Sequence, residues 1–206
     1  MLAERIALAR ALGPLLTAFP GDHVGELRLL VCFYGPPLLH VDLKFVTLAE
    51  AAVRVDENVV LFDRGDRLAD ALATRAPAYP PPDLQWSEDR IWGWVHYLAG
   101  KIARGELFEA IDGLGFVRAR VLGPLVLAER GAQPNGVRRI ESLAPDRVEA
   151  LRATLPTHDA AACRRALRAT IALYRELRDA DGAPVVRRRD AEREAVAFFE
   201  SLEDSP

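Results

Sequence analysis

The sequence predicts an α+β chain: a small sheet of about three strands with flanking helices, followed by an all-helical C-terminal domain. Three observations carry this. Residues 39–45 alternate strictly between apolar and polar, the period of a strand with one buried face. Residues 27–34 form a nearly continuous apolar run closed by Gly35-Pro36-Pro37, as in a strand buried on both faces. Beyond the stiff stretch Ala76-Pro77-Ala78-Tyr79-Pro80-Pro81-Pro82-Asp83, every periodic segment has helical spacing.

In chain order, Leu2, Ile6, Ala9, Leu12 and Leu16 share a helical face, so residues 2–18 read as a helix with a kink or restart at Gly13-Pro14. The strands at 27–34 and 38–46 lie close enough to form a hairpin. Thr47-Leu48-Ala49-Glu50 has capping-box spacing and opens a short helix. A third strand is expected at 58–63 and a short helix at about 67–75. The predicted divisions are 1–76 for the α/β part, 77–86 for the proline-rich linker and 87–206 for the helical domain. Ser87 is the expected cap of the first long helix, with Glu88 and Asp89 in its first turn, where the helix dipole favours negative charge. Helices follow at about 106–130, 145–154 and 157–180, and Asp190 is expected to cap the last one.

The chain has 206 residues, half of them apolar and 28% charged, which describes a globular protein rather than a disordered one. With 27 basic and 30 acidic residues the net charge is −3, which argues against nucleic acid as a partner. No apolar run approaches the length of a membrane span, and the N-terminus lacks the apolar core of a signal peptide. Cys32 and Cys163 stand alone in sequence, outside any CxxC or Cys/His pattern. A cytoplasmic protein with two reduced thiols and no membrane partner is therefore expected.

Three constellations hold reactive side chains. His40, Asp42 and Lys44 point to one side of the alternating strand, either as a solvated sheet face or as the floor of a site. Tyr97, Lys101 and Arg104 share a helix face, as a basic solvated edge or as an anion-binding surface. Glu106, Glu109 and Asp112 follow at spacing three, a pattern that also decorates ordinary surface helices.

The order Leu29-Leu30-Val31-Cys32-Phe33-Tyr34, Leu39-His40-Val41-Asp42-Leu43-Lys44-Phe45-Val46, Val60-Leu61-Phe62-Asp63-Arg64-Gly65 resembles the second half of a polymerase-β-type nucleotidyltransferase domain. The helical continuation Trp92-Gly93-Trp94-Val95-His96-Tyr97-Leu98-Ala99-Gly100-Lys101-Ile102-Ala103-Arg104-Gly105-Glu106-Leu107 is similar to that of small bacterial nucleotidyltransferases related to aminoglycoside adenylyltransferases. The resemblance covers residues 1–130 and implies Mg and ATP as cofactor and donor, with a small hydroxyl-bearing molecule as acceptor. It makes Asp42 the third of three metal-binding carboxylates, the catalytic one placed against the acceptor hydroxyl. It assigns Lys101, with Tyr97 and Arg104, to the nucleoside triphosphate, and Glu109 and Asp112 to a cationic acceptor. In this reading Asp42 faces a cleft shared with the helix of Lys101.

The departure from the family pattern lies before Asp42. The chain has no Gly-Ser dipeptide, and its only Asp-x-Asp, Asp179-Ala180-Asp181, falls at a helix end in the tail. Two of the three carboxylates are thus missing, and a single Asp does not assemble a two-metal centre. The expectation is a family member that is truncated or inactive as written. The alternative is a non-catalytic interaction protein. It would use the helical domain and an exposed sheet edge along 27–34, through which copies of the chain self-associate.

Overall fold

A computed structural model describes residues 2–182 and 184–202. The fold is α+β: a three-stranded antiparallel sheet with flanking helices, then a helical C-terminal region. The chain divides into two compact units, Met1–Ala78 and Tyr79–Pro206.

In the first unit α1 (Leu2–Ala11) precedes a meander of β1 (Leu15–Gly21), β2 (Glu26–Tyr34) and β3 (Leu39–Lys44) in the order β1-β2-β3. The helix expected over 2–18 therefore ends at Ala11, and its second half is a strand. Leu12 and Leu16 keep helical spacing, yet both are largely exposed. Proline disfavours helical dihedrals in the residue before it, so the chain leaves the helix at Gly13-Pro14 and continues extended. This strand also corrects the expected edge. β2 is paired on both sides, so the bare edges belong to β1 and β3. One sheet face buries Leu30, Cys32 and Tyr34 with Ala9 of α1, and Ile6, Leu15, Ala18, Val41, Leu43 and Phe45 pack around them. The buried Tyr34 hydroxyl donates to the Ala9 carbonyl at 2.9 Å, fixing α1 to the sheet.

The capping box forms as its spacing predicts: Glu50 N–H reaches Thr47 Oγ1 at 3.3 Å and Thr47 N–H reaches Glu50 Oε2 at 2.7 Å, opening α2 (Leu48–Ala51). Glu50 also accepts from Arg28 at 3.1 Å, and Arg28 in turn pairs with Glu26 at 2.6 Å, which anchors α2 to the sheet. Arg28 first, and Lys44 at 2.9 Å second, hold the Glu26 carboxyl far below the usual carboxylate range.

The strand expected at 58–63 does not form; Val59, Leu61 and Phe62 are exposed. Asp63, its last residue, is committed elsewhere. Its carboxylate accepts from the N–H groups of Leu68 (3.0 Å) and Ala69 (2.9 Å), the first turn of α3 (Arg67–Ala73). Those bonds draw its pKa down and fold 63–67 into a tight turn with Gly65 and Asp66 at positive φ.

In the second unit α4 (Leu84–Ala103) starts three residues before the expected cap. Asp83 is the N-cap, accepting from Trp86 N–H at 2.8 Å, and Ser87 is buried inside the first turns. The segment expected as one helix over 106–130 is α5 (Leu107–Val117), a π turn (Arg118–Leu122) and α6 (Gly123–Glu129). There follow α7 (Ile140–Leu143), a 3-10 turn at Pro145–Arg147, α8 (Val148–Arg152), α9 (Ala160–Ala180) and α10 (Arg189–Ser201). α9 is capped by Asp159, which accepts from Ala162 N–H at 2.7 Å. Asp190 lies within the first turn of α10 rather than at its cap.

One core joins these helices, with Ile91, Val95 and Leu98 of α4 meeting Leu114, Leu122, Leu167, Tyr174 and Phe199. It also contains a fully buried carboxylate. Glu88 accepts from the Tyr174 hydroxyl at 2.7 Å, the Arg188 backbone N–H at 2.8 Å and Trp92 Nε1 at 3.2 Å. Arg178, equally buried, approaches it at 3.4 Å and also pairs with Glu192 and Asp179, both at 2.9 Å. Burial raises the Glu88 pKa, but these donors outweigh it and leave the carboxyl below its ordinary value. Among the described residues no helix is long and apolar enough to cross a membrane.

Candidate functional site

The alternation of β3 places Asp42 on the sheet face opposite α1, with His40 beside it at 3.0 Å. Both side chains are about half exposed, at 55% each. The His40 ring stacks on Phe33 (centroids 4.7 Å apart), and Phe33 stacks on Phe19 at 6.4 Å. Across the strands Asp42 faces Val31, and Val31 faces Phe19. This face therefore presents Asp42 and His40 beside an aromatic–aliphatic floor, with the His23 ring 5.7 Å from Phe19. Lys44, the third polar residue of the stripe, is engaged by Glu26.

The second constellation lies at the corner where α4 ends and α5 begins. Gly105, at φ +74, adopts the left-handed conformation that ends α4 and turns the chain back. The turn brings Glu106 and Glu109 over the face formed by Tyr97, Lys101 and Arg104. Lys101 Nζ lies 2.6 Å from Glu106 and 2.7 Å from Glu109, and 5.0 Å from the Tyr97 ring centroid. Tyr97 donates its hydroxyl to Glu109, and Arg104 Nε donates to Glu106 at 2.6 Å. Lys101, with Arg104 behind it, pulls Glu106 down to about 2. Glu106 and Glu109 hold the Lys101 ammonium well above its usual range, and Glu109 raises the Tyr97 phenol.

Two cations and two carboxylates thus compensate one another. The three expected nucleotide-binding residues are brought together, as their spacing suggested, but their charge is already matched. Of the two expected acceptor residues, Glu109 belongs to this cluster, whereas Asp112, three residues further along α5, is exposed. Asp42 and Lys101 belong to different units, so the expected shared cleft is a feature of neither unit taken by itself.

Magnesium takes near-octahedral oxygen coordination and is usually held by carboxylates together with substrate phosphates. Around Asp42 the neighbouring strand offers Val31 and Phe33, and the nearest polar partner is an imidazole. Among the described residues no three His, Cys, Asp or Glu side chains converge in a metal-binding group. The described residues around Asp42 do not fit a two-metal centre. No family model matches this chain, and no curated protein matches it.

Sequence reasoning did not anticipate the buried Glu88. The signal was available: Glu88 lies four residues after Leu84 and three before Ile91, on the apolar stripe of α4 itself.

Proposed function

We propose that this chain is a cytoplasmic nucleotidyltransferase-family protein that does not transfer nucleotide by itself. Complete relatives would move AMP from ATP to a hydroxyl of a small acceptor such as an aminoglycoside. Asp42 is the acceptor-side carboxylate, and the two metal-holding carboxylates are not supplied by the strand beside it. One observation carries this reading. Asp42 stands on the open sheet face, opposite the α1 side, among Val31, Phe33 and His40.

The test is transfer of labelled AMP from ATP, with magnesium and a panel of aminoglycosides as acceptors. Background incorporation is expected. Turnover that disappears in Asp42→Asn would overturn the proposal, because the missing ligands would then come from elsewhere in the chain. ATP contact at Lys101, Tyr97 and Arg104 requires Glu106 and Glu109 to swing aside. An ATP titration should therefore strengthen in Glu109→Gln and weaken in Lys101→Met if this face takes triphosphate.

A second reading is supported by the aromatic floor of the same face and by the two bare edges of the meander. In it the chain is a non-catalytic interaction protein that pairs through β1 or β3, with a second copy as one partner. Concentration-dependent sedimentation would support it; a strictly monomeric chain that binds ATP would exclude it.

A further inference from the structure

The helical unit contains a guanidinium that differs from its neighbours. Arg147 is matched by Glu129 and Glu176, and Arg178 by Glu88, Asp179 and Glu192. Arg118 is half-buried, yet it has no carboxylate partner among the described residues. Its Nη1 donates to the carbonyl and hydroxyl of Thr154 at 3.1 and 3.3 Å, while Nε and Nη2 have no protein acceptor among those residues. Burial alone acts on this group, lowering its pKa. An unmatched, partly desolvated cation is costly for a fold to keep.

Arg118 opens the π turn, where Gly123 N–H returns to the Arg118 carbonyl in place of the usual α bond. Such turns re-aim a side chain and recur at functional sites. Here the side chain lines a pocket of about 230 Å3 whose walls are Val137, Ile140, Val148, Leu151 and Leu155. The wall at Val137 is set by a close approach of backbones. A Cβ on Gly123 would lie 2.4 Å from the Gly136 carbonyl oxygen and 2.8 Å from Val137 Cγ1. At about 30 Å3 per water, the pocket has room for roughly eight waters. An acid the size of isovalerate or benzoate fits that space.

We infer that this pocket binds a small monocarboxylic acid, its apolar body against the aliphatic walls and its carboxylate on the guanidinium of Arg118, whose Nε–Nη2 edge Thr154 leaves without an acceptor. That edge presents two parallel N–H donors, the bidentate match to a carboxylate. A phosphate ester fits less well. A dianion would meet a single cation, and the exposed Glu141 at the rim repels a second negative charge. The other rim cation, Arg152, is already paired with Glu149 at 3.0 Å.

The experiment is a titration of the full chain with isovalerate and benzoate, each beside its amide, followed by NMR and calorimetry. Saturable binding at about millimolar Kd or tighter is expected for the acids, with the amides about tenfold weaker. Arg118→Lys keeps the charge but loses the bidentate edge, and should weaken binding about tenfold. Glu141 at the rim and the exposed wall residue Leu155 give two further readouts that leave Arg118 itself in place. Glu141→Gln should tighten the acids about twofold or more, and Leu155→Glu should weaken them by a similar factor, as expected for a nearby charge at moderate screening. Equal binding of acid and amide, no saturable shift for either acid, or affinities indifferent to both the Glu141 and Leu155 changes would each overturn the assignment.

Discussion

Removing the carboxylate of Glu88 should destabilise the helical unit more than any surface change. Glu88→Ala strands the Tyr174 hydroxyl, the Trp92 indole N–H and the Arg188 backbone N–H, all now directed at Glu88. Each buried donor left without an acceptor costs about 1–3 kcal/mol. Arg178 loses one partner but retains Glu192 and Asp179, so the penalty of about 3–5 kcal/mol for breaking a buried pair applies only in part. Water entering the vacated volume satisfies some of the donors, and a net loss of about 4 kcal/mol is expected. At roughly 3 °C per kcal/mol for a domain of this size, the melting temperature should fall by about 12 °C. Glu88→Gln keeps one acceptor oxygen and the shape, so roughly half that loss is expected. All three tryptophans (Trp86, Trp92 and Trp94) lie in α4, so intrinsic fluorescence reads this unit directly during a thermal melt. A drop of less than about 3 °C in Glu88→Ala, a quarter of the expected shift, would refute the reasoning.

Three further outcomes follow from the geometry. The Glu88 carboxyl sits below its ordinary pKa, so its contribution is complete above about pH 4.3 and fades as the pH falls through the lower folded-state value; fluorescence melts from pH 6 down to about pH 3 should decline more steeply in the parent chain than in Glu88→Gln. Gly123→Ala places a methyl 2.4 Å from the Gly136 oxygen and should cost about 1–3 kcal/mol, whereas Gly93→Ala, exposed on α4 with nothing near its Cβ, should gain about 0.5–1 kcal/mol; paired denaturant melts check both signs. Thr47→Ala removes the box that starts α2 and should cost about 1 kcal/mol, read as faster amide exchange at Glu50 and Ala51.

Where one local rule dominates, the residues announce the structure. The strict alternation through Asp42 leaves one way to bury Val41 and Leu43, and β3 forms there. Thr47 and Glu50 satisfy each other within one turn and need no tertiary context. Legibility fails where two rules compete. Leu12 and Leu16 imitate a helical face, and the break at Gly13-Pro14 decides the matter only once β1 finds β2 as a partner. Residues 58–63 have strand-like side chains, but Asp63 starts α3. At the candidate site, the shared face of Tyr97, Lys101 and Arg104 was readable from spacing. That Glu106 and Glu109 would close over it depends on the left-handed turn at Gly105, a property of the backbone and not of side-chain order.

The tie between Glu88 and the backbone of Arg188 spans 100 residues. During synthesis the acceptor emerges first and waits for its donor, at about 5–20 residues per second, for roughly 5–20 seconds. Through that interval the Glu88 carboxylate, set among Ile91, Trp92 and Val95 of α4, has only the Trp92 indole N–H of its later donors within reach. Covering that stripe with another apolar surface before the donors arrive would desolvate an unpaired charge, which costs free energy. Its partners outside α4 arrive with Tyr174, Arg178 and the backbone of Arg188, so a charge that is costly to desolvate early becomes the tie that joins the first helix of the unit to the last two.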